Sequence, residues 1–146
     1  MTGFAVLEQG ERLARRLVAR FGPAVGADQR PGLLVVAPEV HLPAGEKLEC
    51  ETVLLPGTAA HQLNAVRARS AVSYGLSGRD TITLSSAEGR WLWVAVQREL
   101  VRLDGTVLER QEFPVSVPEG MDGLQMLALA GAMLLLGTEP EEICKL

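Results

Sequence analysis

The sequence predicts an α/β protein: a small three-layer or two-layer sheet with a parallel βαβ part, an antiparallel hairpin extension and a C-terminal apolar covering helix. Three observations predict it. Leu33–Ala37 and Thr52–Leu55 are short, β-branched apolar runs, the signature of strands buried on both faces. Asp80–Ser86 then alternates Ile82 and Leu84 against Thr81, Thr83 and Ser85, as a strand with one wet face does. Finally, Leu124–Leu136 is apolar nearly all round, which predicts a helix that is central or covered. A chain of 146 residues with 47% apolar composition suits one domain spanning 1–146, with a proper core.

The elements follow in order. An N-terminal helix within residues 1–21 is expected over Val6–Phe21, with Leu7, Leu13, Leu17, Val18 and Phe21 on one face. Gly22-Pro23 stops it, and Gly22–Gly32 is a loop. The run Leu33–Ala37 is the first strand, and Pro38–Glu49 a polar connection. After the second strand, Thr52–Leu55, Thr58 is read as the N-cap of a helix over Ala59–Arg69. Ala71–Tyr74 is the third strand, so strand, helix and strand form a parallel unit. Trp91–Val101 and Thr106–Val115 read as long strands. Asp104-Gly105 between them predicts a type I′ hairpin turn. Asp122 caps the apolar helix and Gly137 ends it. Thr138, Pro140 and Glu141 predict the start of a last short helix.

Charge and composition narrow the function. Fourteen Lys+Arg against eighteen Asp+Glu give a net charge of −4, which lacks the basic footprint of a nucleic-acid binder. Arg12, Arg15, Arg16 and Arg20 form a local basic stripe, read as a solvated helix face. The Leu124–Leu136 run falls short of the ~20 residues a membrane helix needs. Met1–Gly10 lacks the basic start and long apolar run of a secretory signal, so a cytoplasmic location with free Cys50 and Cys144 is expected.

Motifs for chemistry are sparse. Neither GxxxxGK[ST] nor GxGxxG occurs, and Gly75-Leu76-Ser77-Gly78 leads into a strand, so it reads as a tight turn. His41, His61, Cys50 and Cys144 lack the close pairing of zinc ligands, so no metal or other cofactor is expected. Cys50 with His41 or His61 is a conceivable nucleophile pair, but Cys50 beside a buried strand reads as a small hydrophobe. Trp91 and Trp93, two apart on a strand, share one face. Core packing is the plainer reading of them, and stacking on a ligand or partner the sharper one.

From Leu33 onward the chain resembles the second half of the central, ATP-binding domain of the Mur ligases and their folylpolyglutamate synthase relatives. Thr52–Thr58 (TVLLPGT) stands where those enzymes have a strand ending in Asn and paired Asp. Ala71–Ser85 resembles their strand ending in Phe/Tyr-Gly, with a polar turn and an antiparallel strand after it. Gly120–Ile143 resembles their Ala-rich helix with Gly and a Glu-Glu-Ile helix following. The family's P-loop has no counterpart. Its His-Asn…Asn nucleotide signature falls on Met121, Asp122 and Gln125, and its paired acids on Gly57, Thr58 and Ala59. The resemblance therefore implies the half-sheet and covering helix without the ligase activity.

Two functions follow from these readings. One is a non-catalytic, degenerate Mur-ligase-like module acting through a protein partner or as a homodimer, because half a doubly wound sheet leaves an edge and an apolar helix uncovered. The other is a protein or enzyme that binds a polar metabolite or nucleotide outside the carboxyl ends of the strands. There Glu39, Thr58, Tyr74 and Arg79 are the candidate ligand-binding residues.

Overall fold

A computed structural model describes residues 3–26, 29–42 and 48–145. It is an α/β fold built on a seven-stranded mixed sheet. The strands are β1 (Phe4–Leu7), β2 (Leu33–Val36), β3 (Leu48–Pro56), β4 (Val66–Tyr74), β5 (Ile82–Glu88), β6 (Trp91–Val96) and β9 (Gln111–Ser116), hydrogen-bonded in that order. The first five run parallel, and β6 and β9 turn antiparallel. A separate two-stranded ribbon, β7 (Leu100–Val101) and β8 (Val107–Leu108), lies between β6 and β9 in the chain. The helices are α1 (Arg12–Phe21), α2 (Gly123–Leu135) and α3 (Pro140–Cys144).

Alternation along β2 divides the core in two. Leu33 and Val35 join one large cluster with Leu13 and Leu17 of α1, the buried side chains of α2, and Ile143 of α3. Leu34 and Val36 point the other way, into a smaller cluster with Cys50, Val53 and Leu55, against which Val40 and Leu42 pack. Every residue of α2 from Met126 to Leu135 is buried, as its all-round apolar sequence predicts. Asp122 accepts from the Gln125 amide and Gln125 Oε1 from the Asp122 amide, closing a capping box. Gly137, at φ 105°, provides the left-handed exit.

The stripe of arginines on α1 is exposed, and two of its members hold neighbouring chain. Arg12 donates to the Gly120 carbonyl, and Arg20 to Thr138 Oγ1 and Glu142. The ribbon is tied down similarly: Leu103 N donates to the Leu135 carbonyl, and buried Arg102 pairs with Glu139 at 3.0 Å.

Several local expectations give way. Phe4–Leu7 is a strand, paired in parallel with Leu33–Val36, so the helix starts only at Arg12. Four consecutive apolar residues serve an edge strand, whereas the true helical repeat is Leu13 and Leu17. The helix expected over Ala59–Arg69 is a 3-10 helix over Gly57–Ala65 followed by β4, and Thr58 does not cap it. In Val66-Arg67-Ala68-Arg69 the period is two: the arginines are exposed and Val66 and Ala68 half-buried. Pairing with the nine residues of β3 overrides the helix propensity of Ala and Arg.

The two long strands each break. Gln97 ends β6 because its side chain turns to the carbonyls of Gly78 and Asp80, and its amide to Thr81. The Asp104-Gly105 hairpin forms, but only Gly105 has positive φ, at 89°. Gly105 N donates to Arg102 O and Arg102 N to Thr106 O, a tight turn with a glycine bulge in place of type I′. The last helix has Glu139 at its N-cap position, without a side-chain cap, and Thr138 is buried and accepts from Arg20. Part of the Pro38–Glu49 connection, residues 43–47, and residues 27 and 28 of the Gly22–Gly32 loop lie outside the described residues. Among the described residues, no helix is long and apolar enough to cross a membrane.

One contact sets how closely α2 lies on the sheet. A Cβ on Gly131 would fall 2.9 Å from Ile82 Cδ1 and 3.1 Å from Leu54 Cδ2. Gly131→Val is therefore expected to destabilise the fold by about 2–3 kcal/mol. The measurement is the urea midpoint at unchanged m-value.

Candidate functional site

The parallel strands end together along one edge. At the ends of β3 and β4 stand Pro56-Gly57-Thr58 and Tyr74-Gly75, and at the end of β2 Pro38. A cavity of about 460 Å³ opens there, lined by these residues with Leu76, Ser77, Arg79, Asp80 and Leu124. A second cavity of about 580 Å³ shares Pro38 and lies at the ends of β1 and β2, with Glu8, Glu39, Asp122 and Gln125 in its wall.

The structure thus brings three of the four candidate residues, Thr58, Tyr74 and Arg79, into one cavity. Glu39 lies in the neighbouring cavity, where its Oε1 accepts from Gln9 N at 3.2 Å. Tyr74 is fully buried, and its hydroxyl donates to the Val36 carbonyl at 2.6 Å. Burial, with Glu39 and Asp122 adding to it, pushes this phenol well above the ordinary range. The hydroxyl is thereby committed to joining β4 to β2. Thr58 and Arg79 are exposed at the rim, and the Arg79 carbonyl accepts from Arg98 at 2.7 Å.

Asp80 is the residue that sequence reasoning missed. It is 5% exposed and lies at the floor of the cavity. Its Oδ2 accepts from Ser77 N at 3.1 Å. Gln97 Nε2 holds the Asp80 carbonyl at 2.7 Å, which pins the Gly75–Asp80 turn. Gly57 and Gly75 make room for the carboxylate. A Cβ on Gly57 would fall on Asp80 Oδ1, and one on Gly75 would stand 2.5 Å from Oδ2. Neither glycine has positive φ, so close approach, rather than turn geometry, explains both. The legible signal was two glycines just past strand ends with an acid at the close of the second turn.

The edge is poor in anion sites. The first turn of α1 faces this edge, but Glu8 occupies it, accepting from Leu13 N at 3.2 Å and Ala14 N at 3.0 Å. A phosphate would have to displace that carboxylate. Cys50 and the histidines do not meet. Cys50 is buried among Leu34, Val36 and Val53, which raises its thiol from 9.0 to about 11, while His41 faces Gln62 at 3.3 Å. Among the described residues no group of three or more His, Cys, Asp or Glu is arranged to hold a metal ion.

A different surface lies on the far face of the antiparallel strands. Leu92, Val94 and Val96 face α2, so Trp91 and Trp93 point outward, 50% and 41% exposed. This overturns the core-packing reading of the pair. Trp93 stands opposite Pro114 and Trp91 opposite Ser116 of β9. On the β5 side, Ser86 stands opposite Trp93 and Glu88 opposite Trp91, while the Thr83–Ala95 pair further along is buried. β4 and β5 pair only at Tyr74 and Ile82, so β5, β6 and β9 continue past the cleft, by roughly 20 Å at strand rise.

No family model matches this chain, and neither a curated protein nor a solved structure matches it.

Two outcomes test the site's framework. Tyr74→Phe leaves the Val36 carbonyl unpaired and is expected to cost about 1–2 kcal/mol in urea unfolding. Alkaline pH acts through Cys50. Its folded pKa is raised, so the unfolded thiol ionises first, and its contribution is complete below pH 9.0 and lost as pH rises through about 11. Stability is expected to fall over that window, and Cys50→Ala to flatten part of the fall.

Proposed function

We propose that the chain is a non-catalytic α/β module, a degenerate relative of the Mur ligase central domain, that works by pairing with a second copy of itself. The observation that carries this reading is the exposed Trp91–Trp93 pair on the uncovered face of β6. Two large aromatics in water side by side are a burial opportunity, and tryptophan is enriched where interfaces concentrate their energy.

The surrounding surface favours a like partner. Trp91, Trp93 and Pro114 make a raised patch, flanked on β5 by Ser86 and Glu88. Under a two-fold axis this patch meets its own copy, an isologous sheet-on-sheet contact. Pairing through the sheet edge is less favourable, because Pro114 removes a donor from β9 and β1 is only four residues long. The order β3, β4, β5, antiparallel strands and apolar helix supports the family reading, and Glu8 at the α1 N-terminus suits a chain without a P-loop. A cytoplasmic setting goes with this function.

A second reading, binding of a small polar molecule at the strand ends, is favoured by the buried Asp80 carboxylate facing the cleft.

The test is sedimentation velocity of the purified chain and of Trp91→Ser/Trp93→Ser. A wild-type dimer that becomes a folded monomer in the double variant is the expected result. A wild-type monomer across the accessible concentration range, or an unaltered dimer in the variant, overturns the proposal.

A further inference from the structure

The strand-end cleft holds the carboxyl group of a buried residue, Asp80, with no ion-pair partner among the described residues. Asp80 is 5% exposed, yet no ion pair joins it to any described Arg, Lys or His. Only Oδ2 has a hydrogen-bond partner among the described residues, the Ser77 amide, and Oδ1 has none. Oδ1 is not sealed from solvent, so it is open to a donor brought by a ligand. The chain commits two glycines to seating this carboxylate, and clamps its turn through Gln97.

We propose that this cleft is a binding site for a small primary amine, whose ammonium group donates to Asp80 Oδ1 while its alkyl portion lies against the cavity walls. The proposal deepens the small-molecule reading above, on which it rests, by naming the ligand's chemistry. Four features select that chemistry. The charge of Asp80 calls for a cation rather than a neutral hydroxyl. One free oxygen suits a compact ammonium donor, while the bidentate fork of a guanidinium would have to share Oδ2 with Ser77. A single carboxylate gives a divalent cation only one of the six or more oxygens it takes, so magnesium is the control cation. Pro38, Pro56, Leu76 and Leu124 supply apolar wall for an alkyl stem, in a cavity of metabolite size. Arg79 stands exposed at the rim, so a ligand can also carry an acceptor oxygen at its far end.

The experiment is backbone-amide NMR of the full chain titrated with n-propylammonium chloride, sodium propionate, n-propanol and magnesium chloride in turn. Saturable shifts of the Gly57, Gly75 and Ser77 amides with propylammonium alone are expected. Asp80→Asn keeps an acceptor for the Ser77 amide and removes the charge, so it is expected to weaken binding about tenfold or more with the spectrum still dispersed. Should Asp80→Asn fail to fold, Thr58→Trp blocks the cavity mouth from an exposed position and should abolish the same shifts with Asp80 intact. Undiminished propylammonium binding in either variant overturns the proposal. So does magnesium acting on the same amides, which would make the site a metal site. If propionate or propanol saturates those amides and propylammonium does not, the ammonium assignment falls while a small-molecule cleft stands. If no probe moves them, both fall.

Discussion

The rest of the structure depends on one helix being buried on every side. From Met126 to Leu135, every residue of α2 is buried. Its sheet side lies so close that Gly131 rests against Ile82 and Leu54. Its other sides are closed by α1, through Leu13 and Leu17, and by α3, through Ile143. This explains the otherwise odd placement of arginines on α1. Arg12 and Arg20 reach to Gly120 and to Thr138 and Glu142, so the helix that covers α2 is held at both ends by chain adjoining α2. The apolar contact sets the arrangement. The exposed ion pair adds little energy but fixes register.

Burying α2 on one face has a consequence for the other. The parallel half of the sheet has a second apolar cluster, around Val36, Val53 and Leu55, sheltered by Val40 and Leu42. The antiparallel half has no described element over it, and there the side chains change character. Thr83, Ser85 and Ala95 are small or polar, and Trp91 and Trp93 are large and exposed. The change coincides with the single pair, Tyr74 and Ile82, that joins the two halves. The same junction makes the cleft. Because β5 begins where β4 ends, the turn between them must cross the strand ends, and Asp80 is delivered there with Gly57 and Gly75 beneath it. The exposed tryptophan face and the cleft are thus two products of one offset between strands.

Sequence and structure agree where the determinant is local. The strands Leu33–Val36 and the core of β3, the capping box at Asp122 and Gln125, the exit at Gly137 and the hairpin at Gly105 were all readable. Each depends on residues within a few positions of one another. The α/β class followed from these alone. Glycine, proline and capping side chains act on their own backbone, so their meaning does not wait for a partner.

Tertiary contacts decided the remainder. Phe4–Leu7 became a strand because β2 offered it an edge, and Val66–Ser70 because β3 extended beside it. Gln97 turned to carbonyls seventeen and nineteen residues away at the end of β6, and Thr138 accepts from Arg20 across the fold instead of capping the last helix. Of the candidate site, the sequence located the edge, through Thr58, Tyr74 and Arg79. Only the fold showed that the Tyr74 hydroxyl is spent on Val36 and that Glu39 belongs to the next cavity. Asp80 remained hidden because its setting rests on two glycines, one of them in another strand connection, and on having no ion-pair partner among the described residues. The exposure of Trp91 and Trp93 was hidden for a similar reason. A period of two says that they share a face, but which face α2 covers is settled only when the helix packs.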